Sequence, residues 1–334
     1  MIREPRLLLT MGDVAGIGPE VIARAWPALT EFCCPTVVGD PGWLQRALRL
    51  VRSSAEVRVV TEPATTASPT VVPCLPGGEW DLSHVEPGRV SAAAGRAAYD
   101  SLCVAIDLTM SGSADGIVTA PLHKEGLRAA GLAYPGHTEI LAERTGTRHF
   151  AMMLYGKGPE LPDGLGVIHV TLHMALRDVF RHLSTATVLE KIRLLDGLLA
   201  RLLGRKPRLG VAALNPHAGD GGLFGDEEPT LIAPAVATAR AEGIEASGPW
   251  PSDTLFLRGR RGEFDGIVAM YHDQGHIAMK LLTKLHAVNI SVGLPLVRTS
   301  VAHGTAYDIA GRGIADAAGM VEAARVAATL AAQR

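Results

Sequence analysis

The chain has 334 residues, of which 47% are hydrophobic and 20% charged, with a formal net charge of −2. That length exceeds what one hydrophobic core organises, so two lobes are expected, each burying its own core. The near-neutral balance excludes an extended nucleic-acid surface, which needs a concentrated basic face to release counterions; the densest basic cluster, RGRR at 258–261, reads as a solvated loop.

Taken in order, the N-terminal MIREPRLLLTMGD carries an apolar run of only Leu7–Leu9. That is too short for a signal peptide or a membrane span, and no later stretch reaches bilayer length, so a cytoplasmic protein without membrane contact is expected. Cys33, Cys34, Cys74 and Cys103 show no CxxC spacing and are expected to be reduced thiols. Strand-like apolar runs follow at Arg6–Met11, Thr36–Gly39, Val57–Thr61, Gly116–Ala120, Phe150–Tyr155, Leu165–Leu172, Leu209–Leu214, Gly266–Tyr271 and Ala287–Val292. Amphipathic segments at Ser91–Ser111, Thr185–Leu203 and Ala318–Gln333 lie among them. Alternation of this kind predicts an α/β fold with a parallel or mixed sheet covered by helices.

The first strand runs into MGDVAGIGPE, where glycines 12, 16 and 18 precede Pro19 at a helix start. A glycine-rich strand-to-helix turn can hold a phosphate on its backbone N–H groups, or it can be a tight structural turn. The spacing is not GxGxxG, since Val21 stands where the third glycine would fall, and no Rossmann fingerprint occurs elsewhere.

Three later runs share one feature. GVIHVTLH ends at His173, GVAALNPH at His217 and GIVAMYH at His272, each followed by a polar or glycine-bearing loop. Ligands of open α/β sheets gather outside the carboxyl ends of strands. Three imidazoles arriving there make an open metal site with a position left for substrate. His169 reads as a packing residue of its strand. His276, four residues past His272, could touch substrate or metal, and Asp273 and Asp253 could orient a ligand imidazole. Lys280 in HIAMKLL, Asn289 and Arg298 in GLPLVRTS form a set suited to an anion, with His137 and Thr138 at the helix start in PGHTE.

These stretches together resemble the 4-hydroxythreonine-4-phosphate dehydrogenase family of vitamin B6 biosynthesis. The segments that carry the resemblance are MGDVAGIGPE (11–20), TAPLHKEGL (119–127), YPGHTE (134–139), HMALRD (173–178), LNPHAGDGG (214–222), MYHDQG (270–275), VNISVGLPLVRTS (288–300) and HGTAYDIAGRG (303–313). The resemblance implies two α/β/α lobes of isocitrate/isopropylmalate dehydrogenase-like architecture, with the active site in an interlobe cleft at a homodimer interface. The first lobe is expected at 1–135 plus 303–334, on the cofactor side. The second, with metal, substrate and dimer contacts, is expected at 136–302. It also implies one divalent metal per subunit (zinc, magnesium or cobalt) on His173, His217 and His272, and substrate contacts from His137, Thr138, Lys280, Asn289 and Arg298. The resemblance further implies NAD or NADP as cofactor, its adenosine side bound by His303, Gly304, Thr305, Ala306, Asp308 and Ile309.

The implied reaction oxidises the secondary alcohol of 4-hydroxythreonine 4-phosphate, or a close analogue, and decarboxylates the product to an aminoketone phosphate. Asp273, Lys280 and His137 are alternative proton acceptors, which spacing does not rank. The chain departs from the family pattern at Val14 for proline, at Met174-Ala175, at Ala302 and in GHIAMK. His276 resembles the side branch acting on D-erythronate or D-threonate 4-phosphate, and another branch oxidises cyclic cis-diol carboxylates. A zinc aldolase or hydrolase acting on a phosphosugar, and a non-catalytic metabolite-binding protein, are the readings from other classes.

Overall fold

Fully buried aliphatic runs build the strands. RLLLT forms the first, with Leu7, Leu8 and Leu9 wholly inside, as expected for a strand covered on both faces. The computed structural model of the protein describes residues 3–283 and 287–333. Its strands are β1 (Arg6–Thr10), β2 (Cys34–Val38), β3 (Glu56–Val59), β4 (Val71–Leu75), β5 (Gly116–Thr119), β6 (Ala151–Gly158), β7 (Leu161–His169), β8 (Leu209–Ala212), β9 (Ala246–Trp250), β10 (Gly266–Ala269), β11 (Val288–Val292) and β12 (Arg298–Val301).

The chain forms two units, Met1–Arg148 with Leu294–Arg334, and His149–Gly293. In the first unit six strands run parallel in the order β3-β4-β2-β1-β5-β12. The helix Ala92–Met110, capped where Ser91 accepts the Ala94 N–H, lays Leu102, Ala105 and Ile106 onto Leu8, Val38 and Ile117. Each such aliphatic side chain contributes roughly 1.5–3 kcal/mol by leaving water. In the second unit the order is β11-β6-β7-β10-β8-β9. There β6 is antiparallel to both β11 and β7, while β7, β10, β8 and β9 run parallel. The helix Thr185–Leu203 begins at a Ser184–Thr187 capping box and ends at Gly204 in the left-handed region, φ 66°.

The boundaries fall at 148/149 and 293/294, where the sequence placed them at 135/136 and 302/303. Two packing facts move them. Ile140 and Leu141, on the helix His137–Thr145, join the core of Leu8 and Leu102. β12 pairs with β5, so Arg298 also belongs to the first unit. β4, β9 and β12 were not among the strand-like runs. No helix among the described residues is long and apolar enough to cross a membrane.

Candidate active site

In the second unit β7, β10 and β8 are neighbours and parallel, so their carboxyl ends lie along one edge. His173 follows β7 by four residues, His217 lies in the irregular turn Pro216–Gly222 after β8, and His272 opens the helix His272–Thr283 after β10. Hydrogen bonds bind these three strand ends together. Thr171 Oγ1 donates to the Met270 carbonyl at 2.8 Å, joining the ends of β7 and β10. Gln274 accepts from the Met270 N–H at 2.6 Å and donates to the Ala213 carbonyl at 2.8 Å and to Ser252 Oγ at 2.7 Å. One amide side chain thereby connects β10 to β8.

The imidazole of His272 lies 5.7 Å, centroid to centroid, from that of His173 and stacks at 3.8 Å on His276. Asp273 Oδ1 takes the Nδ1 side of His272 at 2.7 Å, a partner that fixes ring orientation and leaves Nε2 as the outward nitrogen. His169 is buried behind them, its Nε2 3.2 Å from His276 Nδ1. Burial, then the neighbouring imidazoles, pull His169 down to about 3; burial, then His272 and Lys280, pull His276 down to about 4. Both are neutral near pH 7. Asp253 is exposed on the helix Ser252–Arg260, and its neighbour Ser252 makes the contact with Gln274.

The structure thus brings His173 and His272 together with Asp273, and places His217, exposed, after the adjacent strand. Among the described residues no group of three or more His, Cys, Asp or Glu stands assembled around one point. The donors nevertheless suit a divalent cation: imidazoles beyond adjacent strand ends, one already oriented by a carboxylate.

Lys280 is exposed near the end of the helix His272–Thr283, and Asn289 lies half-buried on β11 with its Oδ1 buried and without a protein partner. In the first unit Arg298 is 2% exposed and donates to Thr119 Oγ1 at 2.7 Å. Burial draws its guanidinium down to about 9, against the opposing pull of Glu139. His137 opens the helix His137–Thr145, with Thr138 next in its first turn. Burial and then the Arg298 charge hold His137 well below the usual histidine range, so it is a neutral base at pH 7.

The glycine turn after β1 is a structural joint rather than an anion cradle. The N–H groups of Asp13, Ala15, Gly16 and Ile17 are already donated to Pro121 O, Asp13 Oδ1, Asp13 O and Thr305 O, at 2.9, 2.9, 3.0 and 3.0 Å. A side chain on Gly16 would meet Thr305 at 2.8 Å, so glycine is what lets the two loops touch. The turn seats the segment after β12, which carries His303, Gly304, Thr305, Ala306, Asp308 and Ile309. Further ties are Arg24 to the Gly313 carbonyl and Glu20 Oε1 to the Ala315 N–H at 2.7 Å. Tyr307 donates to Asp13 Oδ2 at 2.8 Å and stacks on His123 at 4.5 Å. A recess lined by Val14, Gly16, Trp43, Arg46, Pro87 and Gly311 opens beside this segment.

Sequence reasoning passed over Asp13, His123, Tyr307, Gln274 and Glu228. Gln274 sits inside the HDQG motif, which was the only signal available for it. The pairing of Asp13 with Tyr307 spans 294 positions and leaves no local trace.

Comparison with known proteins follows the same lines. The family profile described as pyridoxal phosphate biosynthetic protein PdxA matches residues 31–327. The chain is 48% identical over 317 residues to a 4-hydroxythreonine-4-phosphate dehydrogenase of Beijerinckia indica, covering 94% of this chain and 91% of that one. It is 45% identical over 338 residues to a D-threonate 4-phosphate dehydrogenase of Cupriavidus necator, covering 99% and 98%. The crystal structure of a 4-hydroxythreonine-4-phosphate dehydrogenase from Klebsiella pneumoniae superposes with a TM-score of 0.87 at 42% identity, covering 98% of this chain and 100% of that one. The fold extends to a β-decarboxylating dehydrogenase of Thermococcus kodakarensis, with a TM-score of 0.50, 15% identity, and 96% and 81% of the two chains covered. Matched along nearly its whole length by the profile and by these relatives, the chain belongs to the PdxA family of dehydrogenases.

Proposed function

We propose that the protein oxidises the secondary alcohol of 4-hydroxythreonine 4-phosphate with NAD (or NADP), and that the resulting ketone, β to the carboxylate, loses carbon dioxide to give an aminoketone phosphate. The observation that carries this reading is the set of histidines beyond the carboxyl ends of β7, β10 and β8. His173, His217 and His272 would hold a divalent cation (zinc, cobalt or magnesium), which when bound supplies Lewis acidity at the reacting oxygens. NAD supplies the hydride acceptor, with its adenosine side on the 303–309 segment, and the adjoining recess beside Trp43 and Arg46 supports that assignment.

The remaining chemistry belongs to side chains. Arg298, buried and depressed to about 9, gains most from a phosphate, which restores a counter-charge to a desolvated guanidinium. Thr138, Lys280 and Asn289 supply further donors to substrate oxygens. His137, neutral at pH 7, is the favoured acceptor of the alcohol proton over Asp273 and Lys280, because Asp273 is engaged with His272 and Lys280 lies exposed near a helix end. The aldolase, hydrolase and non-catalytic readings yield to the dehydrogenase reading, since the family's named relatives are dehydrogenases.

D-threonate or D-erythronate 4-phosphate is the second substrate reading, favoured by His276, whose ring lies against His272 rather than facing solvent. A panel of 4-hydroxythreonine 4-phosphate, both sugar-acid phosphates and a cyclic cis-diol carboxylate, followed by NADH absorbance, decides. Turnover of the diol alone would remove the phosphate from the reading.

A homodimer is part of the same proposal, with a cytoplasmic location. Leu176 (63% exposed) and Phe180 (55%) sit one turn apart on one helix, and Ile277 (58%) and Leu281 (76%) one turn apart on another, both helices beginning at the histidine loops. Such rows are apolar surfaces in need of cover. Sedimentation should show a dimer that Leu281→Glu weakens; a fully active monomer refutes it.

A further inference from the structure

The turn that carries His217 is held in a backbone state that side chains rarely adopt. His217, Ala218, Gly219, Asp220 and Gly221 follow one another at φ 53°, 56°, 79°, 43° and 69°. Three of these residues have a Cβ, and each such residue is energetically unfavourable in the left-handed region. Something outside the run must hold it, and strained segments that persist are ones their surroundings over-determine.

The restraint is Glu228. Its Oε1 accepts the N–H groups of Leu214 and Asn215 at 2.8 and 2.7 Å, and its Oε2 accepts Asn215 Nδ2 at 3.0 Å. Glu227 takes Asn215 Nδ2 as well, at 2.7 Å. The carboxylate of Glu228 is 3% exposed, and the turn folds so closely over it that a Cβ on Gly219 would meet Oε2 at 2.9 Å. Burial pushes this carboxyl up, but the hydrogen bonds from the Asn215 side chain and from the backbone outweigh it, leaving the group ionised. Its donors are amides of the loop itself, and no lysine, arginine or histidine forms an ion pair with it among the described residues.

We propose that Glu228 is a positioning residue for the metal site: its carboxylate fixes the backbone at Leu214 and Asn215, and so sets the left-handed turn that presents His217. This rests on the reading of His217 as a metal ligand. Glu228 itself touches no cation. It supplies a fixed, buried anchor under the turn that carries His217.

The test uses cobalt(II) added to the full-length protein after chelator treatment, read by calorimetry and by the visible cobalt absorption. Glu228→Gln keeps the size but puts an amide where Oε2 accepts. It should weaken cobalt affinity about tenfold or more, the range for residues that orient metal ligands. It should also speed amide exchange at Leu214 and Asn215 in the metal-free protein, while the β8 amides keep their protection. His217→Ala is the control. If His217→Ala weakens cobalt binding and Glu228→Gln does not, the role of Glu228 is overturned and the metal reading stands. If His217→Ala leaves cobalt binding unchanged, the metal reading of His217 falls, and this inference with it. Should Glu228→Gln fail to fold, Asn215→Ala decides, because it removes the side-chain bonds to Glu227 and Glu228 and keeps both backbone bonds to Oε1; it should lower cobalt affinity two- to threefold in a protein that still unfolds cooperatively, and unchanged affinity overturns the proposal.

Discussion

Tyr307 donates its phenolic O–H to the carboxylate of Asp13 at 2.8 Å, tying the loop after β12 to the turn after β1. Asp13 is fully buried, and burial pushes its pKa up despite the opposing hydrogen bonds of Tyr307 and Ala15. Tyr307→Phe leaves that acceptor short of a donor, at an expected cost of about 1–2 kcal/mol in urea unfolding. Because the loop carries the residues proposed for the adenosine side, the KM for NAD should rise several-fold with kcat little changed. Equal changes in the KM values of NAD and substrate would point to general loosening instead.

Gly12 stands at φ 63°, and a Cβ there would run into the carbonyls of Pro121 and Ala120. Gly12→Ala should therefore combine backbone strain with overpacking and cost about 3 kcal/mol or more. Equilibrium denaturation measures it; a loss under 1 kcal/mol would mean, by the usual scale of surface substitutions, that the turn is free to shift.

Arg298→Lys conserves charge but loses the planar fork that grips two phosphate oxygens. About 2 kcal/mol of transition-state binding should go, roughly thirtyfold in kcat/KM with a phosphorylated substrate. An unphosphorylated analogue should be affected far less. Equal losses on both substrates would exclude a phosphate-anchoring role.

Asp265 is 2% exposed and accepts hydrogen bonds from Arg205 at 2.7 and 2.9 Å and from the Arg208 backbone at 2.8 Å. Burial raises its carboxyl, yet the two arginines together hold it far below the ordinary range. A folded pKa below the unfolded value of about 3.9 means stability that is present above that pH and lost as the pH falls through the folded pKa. Asp265→Asn should cost about 2 kcal/mol at pH 7, from weakened charge-assisted bonds. The gap between wild type and variant should close progressively below about pH 4. A gap independent of pH would assign the loss to packing.

The sequence made the aliphatic strands visible and hid the polar ones. β12 reads RTSV, yet Arg298, Thr299 and Ser300 are all buried, with Arg298 donating to Thr119 Oγ1 and Thr299 to the Ala323 carbonyl. Hydropathy cannot see a strand whose burial depends on distant acceptors. β4 and β9 contain Pro73 and Pro249, which argue against a strand when read locally. The strand-end histidines were legible because an apolar run followed by a polar loop is a local pattern. The glycine turn was left open between two uses, and its N–H partners, Pro121 and Thr305, lie too far along the chain for spacing to choose. Arg298 and His137 were expected beside the metal histidines in the second lobe; helix packing and strand pairing put them in the first unit.

The first unit is assembled from two separated stretches, Met1–Arg148 and Leu294–Arg334, whereas the second is the uninterrupted His149–Gly293. On the ribosome the order of completion is therefore the reverse of the order of the N-termini. The inserted unit has all its strands while the first still waits for β12 and for Leu296 of its core, a wait on the order of seconds at ordinary elongation rates. Through that interval one side of β5 is an open sheet edge carrying Ile117 and Val118, the kind of surface that pairs with the wrong chain unless something guards it.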